Sequence, residues 1–164
     1  MDKLFMIGIG GKKTPANIEV HDICFIIADK IEDCYECLKT NWYGESLHID
    51  TYKVINGANG YHLTLSDQPT DDQEKLFFVN MGGYDQQVFG ELHEVGLFVA
   101  NSEQEAREQS KDLLLVDTDN QHIDNIYPVE DLLLFTGNKK YLILTKDDVD
   151  YQLIPDWNGY NKLR

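Results

Sequence analysis

The residues with the most chemical promise in this chain form two short patterns, each present twice. Glu19-x-His21-Asp22 is matched by Glu91-x-His93-Glu94, and His48-x-Asp50 by His122-x-Asp124. Residues two apart on a β-strand project from the same face, so on neighbouring strands each set would gather two imidazoles and two or three carboxylates. Such a set suits a divalent zinc, iron or manganese ion, with Glu19, His21, His48 and Asp50 as ligands and Asp22 left over as a general base. The same groups also serve a structural purpose, because a strand histidine beside a carboxylate donates a ring N–H to it. No third histidine and no H-E-x-x-H pattern accompanies them. The sequence therefore favours the hydrogen-bonded network, and neither a metal nor a cofactor is expected.

The elements that must position these residues repeat as well. Lys3 to Lys39 aligns without gaps on Lys75 to Lys111 with ten identities over 37 positions, against about two or three by chance. Leu4 to Ile9 is an unbroken apolar run of strand length, as for a strand buried on both faces, and Ile23 to Ala28 is a second. Asp29-x-x-Glu32 resembles a capping box and opens a helix with Ile31, Tyr35 and Leu38 on one face, ending near Trp42. His48 to Ile55 alternates like a half-buried strand, Asn56 to Gly60 is dense in turn formers, and Tyr61 to Leu65 is predicted to pair back as a hairpin. The second copy follows the same order, with a helix from about Ser102 and an added strand at Leu132 to Phe135. The fold expected is α+β: a tandem duplication of a β-β-α-β-β unit with mixed or antiparallel sheets and one helix per repeat. A bare half would expose a sheet edge and an apolar face, so the halves should share one core about a pseudo-two-fold axis. The expected boundaries are residues 1–66 and 75–147 for the repeats, an acidic linker at 67–74, and a tail at 148–164 packed back on the body, in all one compact domain.

Several other features carry less chemistry. Gly8-x-Gly10-Gly11-Lys12-Lys13 follows a strand as a phosphate loop would, but it lacks the third glycine of a dinucleotide fingerprint and the spacing of a Walker loop. Because the second copy keeps only Gly82-Gly83, the reading preferred is a tight turn in which glycine supplies backbone freedom. Trp42 has no aromatic counterpart in the second copy. Asn17, Asp22, Trp42 and Lys12-Lys13 occur together only in the first, which makes that copy the candidate ligand site, comprising Asn17, Glu19, His21, Asp22, Trp42, His48 and Asp50. Cys24, Cys34 and Cys37 are too few for a disulfide framework. The Cys34-x-x-Cys37 pair lies beyond the helix start where a redox thiol gains its acidity, so helix packing is its expected role.

Composition narrows the partners. With 29 acidic against 14 basic residues the formal net charge is −15, which opposes nucleic acid and anionic membrane surfaces alike. The N-terminus lacks the basic region and long apolar segment of a secretory signal, so a cytoplasmic address is expected. A homodimer is compatible with the sequence but not specified by it.

The pattern Leu4-Phe5-Met6, Gly10-Gly11, Asn17-Ile18-Glu19-x-His21-Asp22, Ile31-Glu32-Asp33, Trp42-x-Gly44, Leu47-His48-Ile49-Asp50-x-Tyr52 and Gly60-Tyr61 resembles a bacterial family known as domain of unknown function 1543. That resemblance covers most of the chain and implies a bacterial source, but brings no catalytic residue with it. The functional expectation is a module that binds a small molecule or a protein. Two alternatives stand beside it: a metal-dependent hydrolase or isomerase built on the first cluster, and an acidic inhibitor or immunity-type protein that binds a basic partner.

Overall fold

The computed structural model describes residues 1–164. The chain runs β1 (Lys3–Gly11), β2 (Val20–Ala28), α1 (Tyr35–Asn41), β3 (His48–Ile55), β4 (Gly57–Ala58) and β5 (Tyr61–Ser66). It continues as β6 (Lys75–Tyr84), β7 (Leu92–Ala100), α2 (Glu103–Lys111), β8 (Asp119–Pro128), β9 (Leu133–Phe135), β10 (Tyr141–Lys146) and β11 (Trp157–Lys162). Three sheets result, ordered β11-β3-β1-β2-β9, β7-β6-β8 and β10-β5-β4. All pairings are antiparallel except β2 with β9. The fold is mixed α+β, with the added strand at β9 and more short strands than the sequence suggests.

The halves repeat one pairing register. In the first, Lys3 lies opposite Ala28 and Gly11 opposite Val20. In the second, Lys75 lies opposite Ala100 and Gly83 opposite Leu92, every partner displaced by 72 positions. Even the irregularity in the other pairing recurs, between Gly8 and Ile9 and again between Asn80 and Met81.

Strand alternation explains why the apolar runs are unbroken. Leu4 and Met6 point to one face, into a central core that also holds Phe25, Ile27, Leu76, Phe78 and Val99 from the two halves. Phe5, Ile7 and Ile9 point to the other face and pack beneath Cys34 and Leu38, while Phe77, Val79 and Met81 do the same beneath Ala106 of α2. A strand with a shared core on one side and its own helix on the other has no polar face to present. Phe25 and Phe78 meet edge to face across the central core, ring centroids 5.5 Å apart, and each such buried side chain contributes about 1.5–3 kcal/mol.

Four expectations need correction. The first helix does not start from a capping box at Asp29: its carboxylate pairs with the N-terminal amine, and the chain passes Lys30 into a 3-10 turn, Ile31–Cys34, ahead of α1. In the second half Ser102 does cap α2, accepting a hydrogen bond from Glu105 N at 3.2 Å. Next, β5 does not pair back on β3. It turns at Asn59 and Gly60, both at positive φ (30° and 83°), to pair with β4, and its other edge pairs with β10 of the second half. Gly10 and Gly11 form no turn either. They lie within β1 without positive φ, so what they contribute is the missing side chain. Finally, Glu19 and Glu91 sit one residue before β2 and β7 rather than on them.

Two further links tie the parts together. Asn59 places its side-chain amide against the Val99 backbone, its oxygen accepting from Val99 N and its nitrogen donating to Val99 O. In the tail, Asp156 accepts a hydrogen bond from Val54 N at 2.7 Å and pairs with Lys53, setting β11 against β3.

Candidate functional site

Antiparallel pairing brings the two sequence patterns together in each half. β1 lies between β2 and β3, so that Gly10 faces His21 on one neighbour and His48 on the other. In the second half Gly82 stands between His93 and His122. An ideal Cβ on Gly10 would lie 2.6 Å from His21 Cδ2 and 2.8 Å from His48 Nε2. One on Gly82 would lie 2.5 Å from Glu91 Oε1 and 2.8 Å from Asp124 Oδ2. Only a residue without a side chain leaves the histidine and carboxylate groups room to converge over β1 and over β6.

In the first cluster His48 Nε2 is 3.1 Å from Asp50 Oδ1 and 3.6 Å from Glu19 Oε2, and His21 Nε2 is 3.6 Å from Asp50 Oδ2. The His48 side chain is 2% exposed, covered by Tyr160 of β11 with ring centroids 4.3 Å apart, whereas that of His21 is 62% exposed. In the second cluster His122 Nε2 is 2.8 Å from Glu91 Oε1 and 3.1 Å from Asp124 Oδ1. His93 is 3.4 Å from Glu91 through Nε2 and 3.2 Å from Asp124 through Nδ1. His122 Nδ1 donates to the Asn120 carbonyl at 2.8 Å. That hydrogen bond first, and then the Asp124 and Glu91 carboxylates, raise the pKa of His122 above the ordinary imidazole value.

The other sequence candidates are more dispersed. Gly10 and Gly11 face opposite sides of β1, and Trp42 is on the Gly11 side, donating its indole N–H to Ser46 O at 2.5 Å. It therefore props the loop after α1 and stays away from the histidines. Asn17 is exposed in the preceding loop and makes no side-chain hydrogen bond. Asp22 accepts a hydrogen bond from Ile23 N at 2.8 Å and borders a cleft. Burial pushes the Cys34 thiol up to about 12, and burial followed by the Asp22 charge does the same to Cys24. Neither thiol has the acidity that a redox or ligating cysteine needs.

That cleft, about 590 Å³, runs between the halves and is bordered by His21, Asp22, Phe78, Asn80, His93 and Tyr127 among others. The exposed histidine of each cluster thus opens onto one space. Convergence is not confined to the first copy: Glu91, His122 and Asp124 come together as closely as Glu19, His21 and His48 do. The sequence reading missed Tyr160, which lies in a tail outside both copies, and also Asn80, whose side chain donates to Asn125 at 3.2 Å. Asn80 left a signal as the one amide within the apolar run Leu76 to Met81.

The fold and the clusters define an α+β protein of two like halves, each carrying a histidine–carboxylate group beside a shared cleft. The crystal structure of a protein Il1583 from Idiomarina loihiensis is similar to this chain, with a TM-score of 0.78 and 30% sequence identity over 100% of this chain and 99% of that one. The family model described as Domain of Unknown Function (DUF1543) matches residues 16–65, the segment that holds the first cluster, and the chain belongs to this family. No curated protein matches it. No helix is long and apolar enough to cross a membrane.

Proposed function

We propose that this protein is a binding module that takes a small molecule, apolar in body and polar at its rim, in the cleft between its halves. The observation that carries this reading is the shared cleft itself, in which His21 and Asp22 of one half face His93, Asn80 and Asn125 of the other across Phe78, Ile23 and Val95. Its volume is that of a small-molecule site, and a concave surface with a few convergent polar groups on an apolar floor suits a small ligand better than a flat protein surface. Neither the fold nor the relatives favour the hydrolase or the inhibitor reading.

The test is a thermal-shift screen of small metabolite-like compounds with an apolar body and polar groups at the edge against the chelator-treated protein. A true ligand raises the melting temperature in a concentration-dependent way. Because both histidines border the cleft, His21→Ala and His93→Ala should each weaken that ligand, by roughly tenfold for one lost hydrogen bond. Hits that bind both variants as tightly as the parent protein would place the site elsewhere and defeat the proposal.

A further inference from the structure

We infer that each half holds one divalent first-row transition-metal ion, bound by Glu19, His21 and His48 in the first and by Glu91, His122 and Asp124 in the second. This goes beyond the cleft reading and departs from the expectation of no metal. In each set the nitrogen and oxygen donor atoms all lie within 4.8 Å of one another. Around an ion that holds its ligands at about 2.0–2.2 Å, neighbouring donors stand about 3.0 Å apart at right angles and about 3.4 Å apart in a tetrahedron. Within the two sets, the separations of 3.6 Å from His48 Nε2 to Glu19 and of 2.8 and 3.1 Å from His122 Nε2 to Glu91 and Asp124 fall near those values.

Hydrogen bonding accounts for only part of this convergence. His48 is almost fully buried, yet its Nε2 makes no hydrogen bond to Asp50 at 3.1 Å, and Glu19 at 3.6 Å is beyond hydrogen-bond range. Glu91 Oε1 is buried without a hydrogen-bond partner, although His122 Nε2 is 2.8 Å away. His122 gives its Nδ1 hydrogen to the Asn120 carbonyl, the arrangement that orients a metal-ligating imidazole and leaves Nε2 as a lone pair. A positive charge is needed where Nε2 and two carboxylate oxygens meet, and a bound cation supplies it in place of a proton on Nε2. The glycines complete the argument: the spot that a Gly10 Cβ would fill is 2.8 Å from His48 Nε2 and 2.9 Å from His21 Nε2. The corresponding spot at Gly82 is 2.5 Å from Glu91 Oε1 and 2.8 Å from Asp124 Oδ2. Both halves thus keep a small space at the same register position, bordered by two imidazole rings in the first and by two carboxylate oxygens and His122 Cε1 in the second. Asp50 and His93 stand beside these sets, each close to two of the groups around that space.

The donor sets also differ in character. Two imidazoles with one carboxylate suit zinc, whereas one imidazole with two carboxylates is harder and tolerates manganese better.

The experiment is a calorimetric zinc titration of chelator-stripped protein, with cobalt(II) absorption as a second readout of coordination. The expected result is two saturable ions per chain. His21→Ala and His122→Ala, at exposed positions whose loss leaves the core intact, should each remove one site, with affinity there falling by at least about 100-fold. The double variant should bind none, and bound cobalt should show the visible d–d bands of nitrogen and oxygen ligation. Asp71→Asn with Asp72→Asn, in the exposed linker, should leave both sites unchanged. Absence of any saturable step would overturn the inference, and so would two ions retained by the double variant, since the metal would then sit on the acidic surface. Because the titration needs no cleft ligand and the ligand screen is run in chelator, failure of one leaves the other standing.

Discussion

Replacing Gly10 with alanine separates the two jobs done by the adjacent glycines of β1. The new methyl would stand 2.6 Å from His21 Cδ2 and 2.8 Å from His48 Nε2, well inside the 3.4 Å at which ordinary contact begins. His48 is held beneath Tyr160, but His21 projects into solvent, so His21 is the ring that swings away. His21 relieves its own clash cheaply, but the approach to the buried His48 Nε2 remains, so the cost lies in the lower half of overpacking, about 1–2 kcal/mol. For a chain of this size that is about 2–8 °C in melting temperature. Gly11→Ala meets a different obstacle, because its methyl would lie 1.9 Å from the Ser46 carbonyl oxygen, a main-chain atom that also accepts the Trp42 indole N–H. Strand and loop must then part, at about 3 kcal/mol or more, equivalent to roughly 6–12 °C. Gly137→Ala, with nothing within 4 Å of its Cβ, is the control, expected within about 0.5 kcal/mol of the parent. Melting curves give the order, and histidine-ring NMR spectra report on the site: Gly10→Ala should move the His21 resonances, and Gly137→Ala should not. Equal losses at Gly10 and Gly11, or His21 resonances unmoved by Gly10→Ala, would refute the assignment of one glycine to the cluster and the other to the loop.

Two other expectations concern the links around β5. Asn59→Ala removes both side-chain bonds to the buried Val99 backbone and should destabilise the protein by about 1–3 kcal/mol in denaturant melts, whereas an effect below about 0.5 kcal/mol would make the pairing incidental. The Tyr151 hydroxyl donates to Asp147 and lowers its pKa below the ordinary carboxylate value. A depressed carboxylate adds stability that is complete above its unfolded pKa and is lost as pH falls through the folded one. The melting difference between the parent and Tyr151→Phe should therefore be constant down to about pH 5 and shrink below it. A difference that stays constant to pH 2 would rule out that coupling.

Much of the architecture is legible in the chain because burial on both faces leaves little room for polar residues, so Leu4 to Ile9, Ile23 to Ala28, Leu76 to Val79 and Val95 to Ala100 appear as apolar runs within β1, β2, β6 and β7. The histidine patterns are legible for a related reason: spacing by two survives any strand arrangement that keeps β1 between its neighbours. What stays hidden depends on long-range choices. Gly10-Gly11 looks like a turn because a glycine pair more often supplies φ than space. The partner of β5 is decided by the other half of the molecule and not by the adjacent Asn56 to Gly60. Tyr160 reaches His48 only because Asp156 and Trp157 set the tail against β3, and no periodicity within residues 148–164 announces this.

The seam between β5 and β10 has a further consequence. Tyr61 lies opposite Lys146 and Ser66 opposite Tyr141, so the first residue of each strand meets the last of the other, as when a single ribbon is laid against its own rotated copy. That sheet is complete only when both halves are present, since β4 and β5 come from the first and β10 from the second. Parting the halves would strip β5 of its β10 partner, so both should unfold in one cooperative transition and not in turn.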